Sequence, residues 1–109
     1  MTNASNFPVT PGALTASEIR HLVGKDDPVI IEVGANCGQT TVEPLRAMPG
    51  ATIFAFEPDP RAIAKFRNTI ANPNVHLYEC AIGATNGTIS FHQSSGAEHV
   101  AEWKVLPDF

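Results

Sequence analysis

The run Val29-Ile30-Ile31-Glu32-Val33 constrains the fold of this chain more than any other segment. It is β-branched almost throughout and shows no alternation of apolar with polar side chains. A strand of that kind is covered on both faces, the condition met in a parallel sheet. It therefore belongs in the middle of a layered structure, with strands beside it and apolar cover above and below.

Two further runs can join it. Thr52-Ile53-Phe54-Ala55-Phe56 is one, and Val75 to Ile82 reads as a third strand. Between the first two lies a glycine-bearing loop, Gly34 to Gly38, then a helical stretch reaching about Met48. Pro44 sits inside that stretch and lacks a backbone donor, so the helix is expected to kink or to start late. Between the second and third runs, Asp59 suits a helix cap and Pro60 a first helical residue. Ala62, Ile63, Phe66 and Ile70 then fall on one stripe, with Arg61, Lys65 and Arg67 outside it. Asn72-Pro73-Asn74 stops the helix. Strand, helix, strand, helix, strand at this spacing predicts right-handed crossovers and a parallel sheet.

The flanks are less regular. Thr15 to Glu18 has capping-box spacing, followed by Ile19, Leu22 and Val23 at helical intervals and by Gly24 where a helix would end. Met1 to Ala13 carries Pro8, Pro11 and Gly12 and reads as a loose leader, without the basic start or apolar run of a signal peptide. Residues 1–28 are thus expected to be leader and capping helix, and 29–109 the domain. Past the third strand, Asn86-Gly87 signals a tight turn, and Thr88 to His92 alternates like an antiparallel strand. Ser94-Ser95-Gly96 reads as a loop. The tail from Ala97 fits either a helical face through Val100 and Trp103 or irregular chain over a sheet edge. The expected fold is an α/β, Rossmann-like three-layer sandwich with parallel strands and a following hairpin strand, its sheet incomplete within 109 residues.

Composition narrows the partners. The net charge of −4 leaves no basic footprint for a phosphate backbone, so nucleic acid is not expected. Cys37 and Cys80 are too few and too far apart for a disulfide scaffold and read as free thiols. No apolar stretch reaches the length of a membrane span. These features predict a cytoplasmic protein. His92 and His99 with Glu98 and Glu102 lack tight ligand spacing, so no metal site is expected. His21 and His76 read as structural. No Gly-x-Ser-x-Gly elbow and no Cys-x-x-Cys occurs.

Ligands of an open parallel sheet bind beyond the carboxyl ends of its strands. Three features fall there, each with a bland alternative. Gly34 and Gly38 let the chain approach a ligand and the next helix pack closely, or they serve a sharp turn alone. Glu57, nineteen residues after Gly38, can accept both hydroxyls of a ribose, or be a surface acid before a turn. Cys80-Ala81-Ile82-Gly83 can flank an adenine ring, or be core. The pyrophosphate fingerprint Gly-x-Gly-x-x-Gly is absent, because Asn36 stands at its middle position. A nucleoside without pyrophosphate fits better. S-adenosylmethionine is one, and Glu32 could orient its ammonium while loop amides take its carboxylate.

The segments IEVGANCGQTT, IFAFEPDP, NVHLYECAIG and NGTISF, from about Val29 to Phe91, resemble in order and spacing the FkbM-type methyltransferases. The resemblance implies a class I, Rossmann-like enzyme that uses S-adenosyl-L-methionine, commonly for O-methyl transfer to a small-molecule or sugar-like acceptor. It matches Glu32, Gly34, Ala35, Asn36 and Gly38 to the cofactor loop, Glu57 with Pro58 to the ribose acid, and Ala81 and Ile82 to the adenine side. Family members usually carry Asp where Glu32 stands, and Pro44 is unusual. The family continues with a KIDVEG-like strand and elements that complete the sheet and the acceptor site, so this chain is expected to carry mainly the cofactor-binding half. No catalytic residue can be named. An open sheet edge would favour a homodimer or other self-association. The rival readings are an NAD(P)-binding Rossmann module and a non-catalytic fragment acting in assembly.

Overall fold

The structure, a computed structural model, describes residues 14–93 and 98–106. The leader and the Ser94-Ser95-Gly96 loop lie outside the described residues. Helix α1 (Ala16–Val23) opens with the expected capping box: Glu18 N–H donates to Thr15 Oγ1, and Thr15 N–H donates to the Glu18 carboxylate. Gly24 closes it at φ +75°, in the left-handed region that suits glycine.

Strand β1 (Val29–Val33) pairs in parallel with β2 (Thr52–Phe56), and β2 with β3 (Val75–Tyr78), in the order β1-β2-β3. Helix α2 (Val42–Ala47) does start late. Pro44 is its third residue, where the backbone donor would have no partner within the helix in any case. Helix α3 (Pro60–Thr69) starts as predicted, with the Asp59 side chain accepting from Arg61 N–H and Pro60 in the first turn.

All three helices pack on one face of this sheet. Ile53 and Ala55 are fully buried there with Met48 and Phe66, and Ile19, Ile30, Leu45, Ile70, Val75 and Leu77 close around them. Fully burying one side chain of this size stabilises by about 1.5–3 kcal/mol, so this cluster is the main source of cohesion. The other face carries Val29, Ile31 and Val33, which are 64%, 42% and 61% exposed. Beside them the rings of Phe54, His76, Phe56 and Tyr78 stack in a row. Among the described residues no helix covers this face. The fold is a partial Rossmann-like α/β structure, one helical layer on a three-stranded parallel sheet.

A second sheet follows, built from β4 (Ala81–Ile82), β5 (Gly87–His92) and β6 (Glu98–Lys104) in the order β4-β6-β5. It corrects three expectations. The run from Val75 to Ile82 is not one strand, because the chain turns where Cys80 N–H donates to Tyr78 O at 2.9 Å. Ala81 and Ile82 then pair in parallel with Trp103 and Lys104 of the other sheet. Asn86-Gly87 does not close a tight hairpin, because β4 and β5 flank β6 instead of pairing together; Asn86 Oδ1 accepts from Val105 N–H. The tail is neither helix nor irregular cover over residues 98–104, but the antiparallel partner of β5.

Candidate functional site

The carboxyl ends of β1 and β2 meet at the Gly34–Gly38 loop. Gly34 and Ala35 both donate their amides to Phe56 O, at 2.9 and 3.0 Å, so the loop hangs from the last carbonyl of β2. Three of its residues are left-handed: Gly34 at φ +76°, Asn36 at +54° and Gly38 at +93°. Asn tolerates that region better than other residues with a side chain. Around Gly34 the space is open, and a Cβ there would meet nothing within 4 Å. Gly38 is the opposite case, since a Cβ would lie 3.0 Å from Ile70 Cγ1 and 3.3 Å from Phe66 Cδ2. Its strained φ and this crowding add up. Gly38→Ala is expected to lower stability by about 1–3 kcal/mol in denaturant melts, and an unchanged midpoint would show that the loop yields freely. Ala35 is fully buried and fills the core beneath the loop.

Glu57 holds the loop from the β2 side. Its Oε1 accepts from Asn36 N–H at 2.8 Å and its Oε2 from Asp59 N–H at 2.9 Å. The residue is only 8% exposed, which corrects its alternative reading as a surface acid. Both oxygens are engaged, yet an ionised carboxylate has about four acceptor positions, so further bonds can be accepted. Pro58 follows, half-buried, and leads to Asp59. The hydrogen bond from the Arg61 guanidinium holds the Asp59 carboxyl below its ordinary range, with Gln93 adding a further bond at 3.1 Å. A depressed carboxyl stabilises the fold above its unfolded pKa and loses that contribution as pH falls through the folded value.

Glu32, at the carboxyl end of β1, accepts hydroxyl bonds on both oxygens, from Thr40 to Oε2 and from Thr41 to Oε1. Thr41 is fully buried. Neither threonine was singled out in the sequence, although the polar pair directly after Gly38-Gln39 is visible there.

The two residues matched to an adenine side in the sequence, Ala81 and Ile82, lie in β4. Ala81 and Ile82 are half-buried in the second sheet, and no described hydrogen bond joins them to the glycine loop or Glu57. Beside them, between the sheets, lies a cleft of about 280 Å³, lined by Phe56, Tyr78, Glu79, Cys80 and Val105 with Glu102 and Lys104. The Phe56 and Tyr78 rings stack 5.0 Å apart at 14°, forming an aromatic wall. Glu57 N–H donates to Tyr78 O at 3.1 Å, so the wall is tied to the Glu57 backbone. Burial, with the charge of Glu102, pushes the Cys80 thiol up, which keeps it protonated and unreactive at neutral pH. Among the described residues no group of three His, Cys, Asp or Glu could hold a metal ion, and no helix is long and apolar enough to cross a membrane.

The chain is 41% identical over 89 residues to the 2-O-methyltransferase NoeI of Sinorhizobium fredii (strain NBRC 101917 / NGR234), a match covering 81% of this chain and 37% of that protein. It is 31% identical over 68 residues to Methyltransferase 1 of Beauveria bassiana (strain ARSEF 2860), covering 60% of this chain and 27% of that one. The matched part of the chain thus spans between about a quarter and little more than a third of the length of these curated relatives. No protein-family model matches it. These similarities relate the chain to methyltransferases.

Proposed function

We propose that this relative of methyltransferases is the cofactor-binding part of an S-adenosyl-L-methionine-dependent O-methyltransferase of the FkbM type. The observation that carries the reading is the Glu57–Asn36 bond. It joins the acid at the end of β2 to a left-handed glycine loop at the end of β1, where a parallel sheet offers its ligand site. The similarity to a 2-O-methyltransferase favours oxygen in a small or sugar-like molecule as the acceptor atom.

The residues fit such a ligand. Open space at Gly34 lets a flat or branched group lie against the main chain. The free acceptor positions of Glu57 suit the two ribose hydroxyls, and Pro58 gives the approach a rigid border. The amides of Gly34, Ala35, Asn36 and Gly38 are already spent on protein acceptors. The amides of Cys37, Gln39 and Thr40 would therefore face the carboxylate of the amino-acid end. The Phe56–Tyr78 cleft, whose lining residue Cys80 adjoins Ala81 and Ile82, supplies the apolar wall that a purine needs. When bound, the cofactor supplies an electrophilic methyl group on a sulfonium. The residues described here hold and orient; much of the rate of such a transfer comes from positioning. Taking the proton from a hydroxyl acceptor requires a base, and none of the residues described here has that role.

Titration calorimetry with S-adenosylhomocysteine and NAD tests the reading. Selective binding of S-adenosylhomocysteine is expected, because Asn36 stands where the pyrophosphate fingerprint has its middle glycine. Tighter binding of NAD would replace it with the dinucleotide alternative.

A further inference from the structure

Glu32 and Glu57 grip opposite ends of one loop, and their bonds differ in kind. Glu57 takes two backbone amides, so its bonds use no side-chain group of the donors. Glu32 takes two hydroxyls, so its bonds depend on which residues stand at 40 and 41. From its place at the end of β1 it reaches over residues 33–39 to the start of α2, eight and nine positions on. Thr41 is fully buried, at 0% solvent accessibility, and its hydroxyl has the carboxylate as its acceptor. A buried hydroxyl and a half-buried carboxylate are each costly unpaired, so the bond is hard to exchange for water.

We propose that Thr41, assisted by Thr40, is a positioning residue for the ligand loop. Its hydroxyl closes the Glu32 carboxylate over the loop and sets the amides of Cys37, Gln39 and Thr40 before a ligand arrives. Glu32 then acts through the threonines rather than by touching the ligand. The length of its side chain matters, since the carboxylate must meet two hydroxyls on successive residues. The inference deepens the proposed cofactor site and rests on it only for the ligand's identity; the closure of the loop stands on the two hydroxyl bonds.

Amide hydrogen exchange read by mass spectrometry on the 109-residue chain tests it, with Thr41→Val, Thr41→Ser, Thr40→Val and Glu32→Asp. Valine keeps the shape of threonine and removes only the hydroxyl. The expected result is exchange about tenfold faster over residues 33–40 in Thr41→Val, with β2 protection unchanged and Thr41→Ser close to the parent. Glu32→Asp, one methylene shorter, is expected to loosen the same segment. Thr40→Val, at an exposed position, gives a smaller change in the same segment and serves if Thr41→Val does not fold. Unchanged loop exchange in the valine variants would overturn the proposal. So would a rise spread equally over loop and sheet, or a failure of Thr41→Ser to restore protection. Repeating the exchange with S-adenosylhomocysteine separates the two claims. If that ligand protects nothing while Thr41 still governs loop exchange, the cofactor reading fails and the positioning role stands.

Discussion

Light scattering on the 109-residue chain is expected to report a dimer or larger species, and a methyl-transfer assay on it no turnover. The reason lies in β1. Its sequence is apolar on both faces, and among the described residues it has one strand neighbour, β2, with none on its other edge. An unpaired edge presents a row of backbone donors and acceptors that a second chain can complete. On the face away from the helices, Val29, Ile31 and Val33 are largely exposed and continue into the ring row of Phe54, His76 and Tyr78. None of these side chains is an Asp, Glu, Lys or Arg, so the overall charge of −4 does little to keep two such faces apart. Each Val or Ile buried by association would contribute up to about 1.5–3 kcal/mol. Replacing Ile31 with Lys is expected to shift the distribution toward monomer, since a charge on an edge strand opposes pairing. Absence of turnover is expected because the methyltransferases matched are far longer, the aligned part covering 37% and 27% of them. A monodisperse monomer that transfers methyl groups would refute both halves of the expectation.

Glu57→Ala is expected to weaken binding of S-adenosylhomocysteine by about 1–3 kcal/mol, a loss of roughly fivefold to more than a hundredfold in affinity. Removing a charged acceptor from a diol accounts for that range. The structure adds a second consequence that the position at a strand mouth does not convey. Asn36 and Asp59 each donate an amide to this carboxylate, and the residue is nearly buried. Alanine would leave both amides without their acceptor, so a loss of about 1–3 kcal/mol in stability is expected as well. Affinity must therefore be measured on the folded fraction, alongside the melting temperature. Glu57→Gln is the informative companion, because its amide keeps one oxygen acceptor and turns the other into a donor facing an N–H. Affinity should fall in the order Glu, Gln, Ala. If stability drops while the folded protein binds as tightly as before, Glu57 shapes the loop and does not meet the ribose.

Much of the architecture could be read directly from local spacing. Thr15 and Glu18 are three residues apart, and the capping box they predict needs nothing beyond that turn. Asp59-Pro60 starts α3 for the same reason. The burial of Ala62, Ile63 and Phe66 follows from a 3.6-residue period, and the late start of α2 from the missing donor of Pro44. The parallel order of the first three strands follows from the helices between them. Of the site, the glycine loop and Glu57 were legible because strand ends and left-handed turns have compositional marks. The second sheet was not. Residues 98–104 carry no pattern that separates strand from helix, and they become a strand because β5 lies alongside to pair with them. That pairing also draws Ala81 and Ile82 away from β3, so the run from Val75 to Ile82 divides between two sheets.

What the sequence determined by itself is whatever depends on neighbours a few positions apart: caps, breaks, periods and the apolar character of β1. Tertiary structure alone decided which acceptor each buried donor finds. Glu32 reaches Thr41, Glu57 reaches Asn36, and Asp59 receives Gln93 from 34 positions away. Carboxylates accept from any donor brought within reach, so their partners are chosen by how the strands and loops close in space.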